Sequence, residues 1–213
     1  MRRLRPRQFK TYKSYKRWLQ AEFSRLCVYC RQPDSSARNL NFGIDHYRPK
    51  SLSKFAGLAQ TYSNLYYCCG GCNSRKKDYW PTSESKGPHI INPCDYVMAK
   101  HLRFNVATHS VDPSSDDGRF MADKLQLNEP VTVQFRRNTL ALVSVCSREL
   151  SRLALELDDL TKASKHEGIG AEDYANEKLR LHEDLAVMRS SLDDLQGLTP
   201  MAPLPTSRLG IAM

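Results

Sequence analysis

The chain has 213 residues, a formal net charge of +9, 40% hydrophobic residues and 26% charged residues. These values are typical of a soluble globular protein with one moderate core, or with a small core and an annex. No apolar run follows the basic N-terminus, so we expect neither a signal peptide nor a transmembrane helix, and a cytoplasmic location. In that compartment the seven cysteines are better explained as metal ligands and buried thiols than as disulfides.

The charge is unevenly distributed along the chain. Residues 1–80 contain 17 Lys and Arg against 4 Asp and Glu, whereas residues 81–213 contain 15 against 19. A basic half of this kind attracts polyanions, with an affinity that falls as salt rises. Charge runs are also common on solvated faces, so the charge alone leaves nucleic-acid binding open.

Residues 1–26 form a predicted basic arm followed by a helix. From Lys10 onward, apolar residues recur mostly at three- and four-residue steps and give one stripe, made of Tyr15, Trp18, Leu19, Phe23 and Leu26. Aromatic residues in such a stripe belong to a core more often than to a platform for bases. The arm before the helix is a candidate for contact with phosphates.

Two C-x-x-C pairs bracket the next segment: Cys27 with Cys30, and Cys69 with Cys72. Two such knuckles together supply four thiolates, which is the ligand set of a closed tetrahedral zinc site. Cys68 lacks the two-residue gap to Cys72, so we expect it to lie buried beside the site. Cys94 and Cys146 have no role in this pattern.

Between the knuckles, residues 41–47 alternate well enough to predict a short strand that ends before Pro49, with Asp45 and His46 at its end. A loop over residues 51–63 leads to Asn64 and then to a helix near the second knuckle. Asn73 and Lys76 are three residues apart and share a helix face next to the one that carries the cysteines. We expect the carboxylate, imidazole, amide and ammonium groups to converge on one point.

The runs I-D-H-Y-R-P-K, S-N-L and C-x-x-C-N-x-x-K resemble the HNH endonucleases over residues 25–77. The resemblance implies a ββα-metal core, in which a hairpin and a helix surround one divalent ion, with a four-cysteine zinc. Asn73 stands where many members have His, and the resemblance implies that it is a metal ligand all the same. Weaker similarity, around Trp80-Pro81, residues 92–95, His101-Leu102 and residues 125–128, resembles stand-alone HNH proteins that accompany an ATPase in bacterial anti-phage systems of the Septu and retron type.

Chemistry and resemblance together assign roles within this segment. His46, with an ordinary pKa of about 6.5, is the general base. Asp45 and Asn73 are hard oxygen ligands for a catalytic Mg²⁺ or Mn²⁺. Asn64 is a brace whose amide bonds loop backbone and so orients His46. The expected nucleic-acid contacts are Arg48, Lys50, Lys76 and Lys77.

Each role has a simpler alternative. An Asp beside a His is usually just a satisfied pair, and Asn64 alone would be a turn residue. Asn92, Asp95 and His101 look structural rather than catalytic. The alternative function is a catalytically silent, zinc-stapled module that binds nucleic acid or protein. The substrate prediction is DNA, although the pattern itself does not separate DNA from RNA.

Beyond the core at residues 27–80, residues 81–130 are rich in Pro, Ser and Asp and predict an irregular wrap with short elements. Residues 131–196 predict a helical hairpin annex, with one helix from Val131 to about Ser164 and a second over 171–196. The tail at 197–213 is predicted to be flexible. We therefore expect an α+β fold, with DNA as substrate and with an ATPase partner or a second copy docked on the annex.

Overall fold

The computed structural model describes residues 3, 6–37, 41–83, 87–95, 97–166, 168 and 170–199. The described chain divides into two compact units, one that extends to Arg137 and one formed by Asn138–Thr199. Two small antiparallel sheets and five α-helices, together with short 3₁₀ turns, make up its regular structure, which confirms the α+β prediction. Within the described residues, no helix is long and apolar enough to cross a bilayer.

The strands are β1 (Phe42–His46), β2 (Leu65–Cys69), β3 (Leu102–Phe104) and β4 (Val111–Pro113). The helices are α1 (Lys16–Glu22), α2 (Gly70–Lys76), α3 (Asp116–Lys124), α4 (Pro130–His166) and α5 (Ala171–Gln196).

The predicted N-terminal helix is shorter than expected. A 3₁₀ turn over Tyr12–Tyr15 leads into α1, which ends at Glu22. Ser24 and Arg25 follow with φ angles of +52° and +59°, a left-handed conformation that no α-helix can contain. The expected apolar stripe is present nevertheless, with buried side chains at Tyr15, Trp18, Leu19 and Phe23.

Arg3, one residue of the predicted basic arm, is engaged within the fold, whereas Arg7 and Lys10 are exposed. The Arg3 guanidinium pairs with Glu22 at 2.5 Å and donates to the carbonyl oxygens of Tyr62 (3.1 Å) and Leu65 (2.7 Å). The same group lies over the rings of Phe23 and Tyr66. Arg3 therefore bonds α1 to the start of β2. Arg2 and Arg5 lie outside the described residues.

The predicted hairpin and helix form the centre of the first unit. β1 pairs with β2 in antiparallel register, from Phe42 opposite Cys69 to His46 opposite Leu65, and every residue of β2 is buried. The chain then enters α2 at Gly70, whose N–H donates to the carbonyl of Asn41 at 2.5 Å. A Cβ at Gly70 would lie 3.1 Å from that oxygen, so this close approach favours glycine.

The segment after Trp80 contains short elements and one helix, α3, that the sequence pattern did not indicate. β3 and β4 form a small hairpin, and α3 packs on it. Ser115 caps α3 by accepting a hydrogen bond from the N–H of Gly118 at 3.0 Å. Buried apolar residues of this segment complete the core: Ile90, Ile91, Met121, Ala122, Leu125 and Leu127.

The second unit contains most of α4 and all of α5, and the predicted bounds are close to the observed ones. Cys146 and Leu150, in the middle of α4, are buried together with Leu192, late in α5. Gly197 ends α5 in the left-handed conformation, with φ of +72°. The predicted flexible tail lies outside the described residues from Pro200 onward.

Candidate active site and metal centre

The four knuckle cysteines come together where the first knuckle meets the junction of β2 and α2. The sulfur atoms of Cys27, Cys30, Cys69 and Cys72 all lie within 4.8 Å of one another. The Cys30 and Cys69 sulfurs are 3.7 Å apart. A tetrahedral zinc with bonds of about 2.3 Å separates its sulfurs by about 3.8 Å, so the cluster fits a tetrahedral metal.

The chemistry of the thiols also favours a metal. Mutual hydrogen bonds, led by those with Cys27, lower the pKa of the Cys69 thiol and raise the pKa values of Cys30 and Cys72. Several neighbouring thiolates repel one another, and a dication removes that repulsion and lets all of them bind as thiolates. Cys68, as predicted, is fully buried and outside the cluster.

The first knuckle is held in place by a carboxylate that sequence reasoning missed. Asp34 is fully buried and accepts hydrogen bonds from Gln20 (2.5 Å), Arg25 (3.0 Å) and Tyr67 (2.8 Å). These partners come from α1, from the turn after it and from β2. Asp34 thus fixes the segment after Cys30 against both neighbouring elements; its only signal in the sequence was a position in a polar loop.

Asp45 lies near the end of β1, as predicted, but its carboxylate is already engaged. One oxygen accepts from the Lys76 ammonium at 2.9 Å and the other from the Tyr29 hydroxyl at 2.6 Å. The side chain is 3% exposed. Burial raises the pKa of the Tyr29 phenol, and the Asp45 carboxylate raises it further, so the tyrosine remains a proton donor. Tyr29 sits inside the C-V-Y-C knuckle and was missed because its partner is distant in sequence.

The predicted role of Lys76 in nucleic-acid contact is wrong for this structure. Its side chain is 1% exposed, and its ammonium donates to Asp45 and, at 2.8 Å, to the carbonyl of His46. The helical phase of α2 explains this placement, because that face of the helix packs against β1. Lys76 therefore bonds α2 to the end of β1 and does not reach the surface.

His46 ends β1 with its ring in a different environment from the Asp45 carboxylate. Its Nε2 lies 3.0 Å from the carbonyl oxygen of Ala59, and its ring centroid is 4.6 Å from that of Tyr12. A carbonyl only accepts, so Nε2 carries the proton, and in the neutral ring Nδ1 has a free lone pair. Burial lowers the pKa of this histidine, which favours that neutral form.

Asn64 makes the contacts predicted for a brace. Its amide oxygen accepts from the N–H of Arg48 at 2.8 Å, and its amide nitrogen donates to the Arg48 carbonyl at 3.0 Å. Both backbone groups of a residue just after β1 are thereby satisfied by one buried side chain. These bonds join the two ends of the loop between β1 and β2, next to His46.

The remaining predicted residues are more accessible. Asn73 is half-buried next to Gly43, and within the described part of the chain its amide has no hydrogen-bond partner. Lys77 is exposed after α2. Arg48 and Lys50 are exposed beyond β1, with the Arg48 guanidinium over the Trp80 ring at 5.5 Å and the Lys50 ammonium over the Tyr12 ring at 4.3 Å.

The predicted convergence on one point is thus partly wrong. The Asp45 carboxylate and the Lys76 ammonium meet, but the His46 imidazole contacts Tyr12 and Ala59 instead. β1 continues as a strand through His46, and its last two side chains are both buried but have separate sets of partners.

Asn92, Asp95 and His101 have structural contacts, as expected. Asn92 accepts from the buried Tyr66 hydroxyl at 2.6 Å and donates to Asp95 at 2.6 Å. Nδ1 of His101 lies 2.8 Å from the Ser115 hydroxyl that caps α3. These bonds link the wrapping segment to β2 and to α3.

Comparison with known families places this site in context. Residues 27–79 match the family model described as HNH endonuclease, which covers about a quarter of the chain. The match contains both knuckles, the β1–β2 hairpin and α2, and identifies them as an HNH domain. Searches among curated proteins and among solved structures gave no significant match.

Proposed function

We propose that the chain is a metal-dependent endonuclease that hydrolyses DNA phosphodiester bonds through its HNH domain. One observation carries the proposal: the His46 imidazole is held by the Ala59 carbonyl in the tautomer that leaves Nδ1 free as a base. His46 directly follows Asp45 in the chain, and both residues lie in a segment that matches the HNH endonuclease family. A binding module has no need of a base held in this way.

The proposed reaction assigns the first step to His46. Its Nδ1 takes a proton from water as the water oxygen bonds to phosphorus, and the bond from phosphorus to the 3′ oxygen breaks. The 3′ oxygen leaves with the bonding electrons and takes a proton from solvent, and His46 returns its own proton to solvent. Asn64 keeps the end of β1 in register, so that the imidazole stays where the base is needed.

Asp45 and Asn73 are the proposed ligands of a catalytic Mg²⁺ or Mn²⁺. Both offer hard oxygen atoms, and the Asn73 amide has no partner within the described residues. Each Asp45 oxygen has one protein partner and keeps a second lone-pair site. The ion, when bound, supplies positive charge near the phosphate and leaving-group oxygens. The four cysteines are proposed to hold zinc as a separate structural ion.

A plasmid-nicking assay with the parent and His46→Ala, in Mg²⁺, Mn²⁺ and EDTA, tests this function. We expect metal-dependent nicking by the parent and a loss of about 10²–10⁴-fold in His46→Ala, the range expected for a general base. Zinc content should be unchanged. A folded, zinc-loaded His46→Ala protein that cuts as fast as the parent would exclude His46 as the base.

Asn73→Ala offers the cleaner test of the catalytic ion. The Asn73 amide has no partner within the described chain, so removing it spares the fold, whereas Asp45→Ala also breaks a buried ion pair. We expect Asn73→Ala to need more Mn²⁺ for half-maximal cleavage at unchanged thermal stability. An unchanged metal requirement would remove Asn73 from the ligand set.

The alternative, a catalytically silent binding module, is favoured by one observation. The Asp45 carboxylate is buried and neutralised by Lys76, as in a structural pair. A parent protein that binds DNA but never nicks it in either metal would support this alternative. Exposed Arg48, Lys50 and Lys77 are the proposed nucleic-acid contacts in both cases.

We further propose that the protein is the nuclease effector of an anti-phage defence system, with an ATPase or a second copy docked on residues 131–196. The defence role rests on the resemblance of residues 80–128. The docking rests on the long helical hairpin, which adds nothing obvious to phosphate binding.

Light scattering after size-exclusion chromatography, with and without the product of a neighbouring ATPase gene, tests the docking. An unchanged monomer in every mixture would contradict it.

A further inference from the structure

The Tyr12 ring lies against the His46 imidazole, with centroids 4.6 Å apart and ring planes at 70°. Tyr12 comes from the N-terminal 3₁₀ turn, outside the segment that matches the HNH family. We propose that Tyr12 is a positioning residue for His46, whose ring limits the tilt of the imidazole and whose hydroxyl holds Lys50 beside it. The inference rests on the endonuclease function proposed above and adds a residue from outside the HNH domain.

A general base needs a second point of support besides the Ala59 carbonyl. That single hydrogen bond fixes Nε2, at the far end of the ring, but leaves the ring free to rock about the line from Cβ to Nε2. Rocking swings Nδ1 away from the water that it must deprotonate. An aromatic ring packed edge-on to the imidazole limits this motion and keeps Nδ1 within hydrogen-bond reach.

Tyr12 is itself held in place. In a 3₁₀ turn, residues three apart eclipse one another, so Tyr12 and Tyr15 share a face. Tyr15 is 2% exposed, its ring is 5.2 Å from that of Tyr62, and its hydroxyl accepts from the N–H of Phe9 at 3.0 Å. These contacts hold the turn against the loop before β2. Tyr12 therefore packs on His46 from a turn that is itself held in place.

The Tyr12 hydroxyl links the base to a cation. The Lys50 ammonium donates to this hydroxyl at 3.2 Å and lies 4.3 Å from the ring centroid. Lys50 is exposed and only four residues beyond His46, so Tyr12 holds a positive charge next to the imidazole. If Nδ1 deprotonates the attacking water, the phosphate under attack would lie near the Lys50 ammonium, which would stabilise its developing negative charge.

Two substitutions distinguish the effect of the Tyr12 ring from the effect of its hydroxyl. Tyr12→Leu removes the aromatic contact, and Tyr12→Phe keeps it but loses the bond to Lys50. Tyr79→Leu is the matched control, because Tyr79 is also half-buried, packs on the Phe120 ring and lies under the Lys124 ammonium. Single-turnover nicking at saturating enzyme in Mn²⁺ gives the rate constant, and anisotropy of a labelled duplex without metal gives the Kd.

We expect Tyr12→Leu to lower the saturating rate constant about 10- to 100-fold, the effect of a slightly misplaced catalytic group, with Kd changed by less than about 3-fold. Tyr12→Phe should keep most of the rate, and Tyr79→Leu should match the parent in both. In ¹H–¹³C spectra, the His46 ring signals, assigned with His46→Gln, should shift in Tyr12→Leu and stay in place in Tyr12→Phe.

The outcomes distinguish the two proposals. A parent that never cuts DNA overturns the endonuclease function, and leaves no base for Tyr12 to position. A cutting parent with a folded Tyr12→Leu variant of equal rate overturns the role of Tyr12 alone. A faster Tyr12→Leu enzyme also overturns it, since the ring would then cover the base. Unmoved His46 signals in Tyr12→Leu would show that the contact is absent in solution.

Discussion

Asp45 and Lys76 form a buried ion pair whose carboxylate is also the proposed ligand of the catalytic ion. Both side chains are almost fully buried; the Tyr29 hydroxyl donates to the second Asp45 oxygen, and the His46 carbonyl accepts from the Lys76 ammonium. Removing two charges from water is costly, so such a pair adds little net stability as a whole. Removing one partner leaves the other charge buried and unpaired, which is far worse.

We therefore predict that Lys76→Met lowers the free energy of unfolding by about 3–5 kcal/mol, the usual range for breaking a buried pair. The double variant Asp45→Asn with Lys76→Met should recover most of this loss, because no charge then remains buried. Urea unfolding followed by circular dichroism measures both. A single variant within about 0.5 kcal/mol of the parent would mean that the pair is solvated in solution.

At the scale of elements, the contact between α3 and the turn before β3 depends on one small residue. A Cβ at Gly118 would lie 2.1 Å from the carbonyl oxygen of His101, a distance that no packing tolerates. That backbone oxygen also accepts from the N–H of Ser114 at 2.8 Å, which fixes it in place. The helix can therefore pack here only with glycine at this position.

Gly118→Ala should destabilise the first unit by about 1–3 kcal/mol, as overpacking of a close contact does. Gly57→Ala is the matched control, because a Cβ at Gly57 meets nothing within 4 Å. We expect the control to stay within about 0.5 kcal/mol of the parent. Thermal and urea unfolding of the two variants measure the difference, and equal stability would show that α3 shifts at no cost.

The knuckles join elements that are distant in sequence. Cys69 ends β2 and caps α2, where its sulfur accepts from the N–H of Cys72, while Cys27 and Cys30 follow α1. A metal bound here connects three elements at once. Its removal therefore affects the hairpin and α2 together and not the second knuckle alone.

We predict that the parent carries about one zinc per chain and that Cys69→Ser loses the zinc and unfolds the first unit, because structural zinc binding contributes about 10–16 kcal/mol in small peptides. Cys68→Ala is the control: Cys68 is also buried but lies outside the cluster, so this variant should keep the zinc. Elemental analysis with circular dichroism tests both. Full zinc content in Cys69→Ser would contradict the ligand assignment.

Across the first unit, phenol groups take part in the core instead of facing water. Tyr62 donates to Glu22, Tyr66 to Asn92 and Tyr67 to Asp34. Burial raises the pKa of all three phenols, and the neighbouring carboxylates raise it further for Tyr62 and Tyr67. The folded protein thus retains phenolic protons that the unfolded chain releases.

The sign of the linkage follows from this difference. Below about pH 10, the pKa of a free tyrosine, both states hold these protons and the stability is fully present. Above it the unfolded state releases them first, so the free energy of unfolding should fall as pH rises. Urea unfolding between pH 8 and pH 11 measures the slope, and Tyr67→Phe should reduce it. A flat profile would mean that these phenols ionise freely in the folded protein.

The sequence by itself determined the parts of this protein that depend on local pattern. The C-x-x-C spacings predicted the cysteine cluster, the alternation around Ile44 predicted β1, and the apolar periodicity predicted α4 and α5 nearly to their observed bounds. Spacing fixes such features because helices and strands repeat at known intervals. The brace role of Asn64 was predicted from the HNH resemblance and not from local pattern, since Asn64 alone would be a turn residue.

Only the tertiary structure decided which groups meet across long separations. Lys76 pairs with Asp45, and Tyr29 of the first knuckle donates a hydrogen bond to the same carboxylate. Arg3 bonds α1 to β2. Tyr12 reaches His46 from outside the HNH domain. These contacts depend on the register of β1 and β2 and on how α1 and α2 pack against them, and burial then decides whether a basic residue binds phosphate or neutralises a carboxylate.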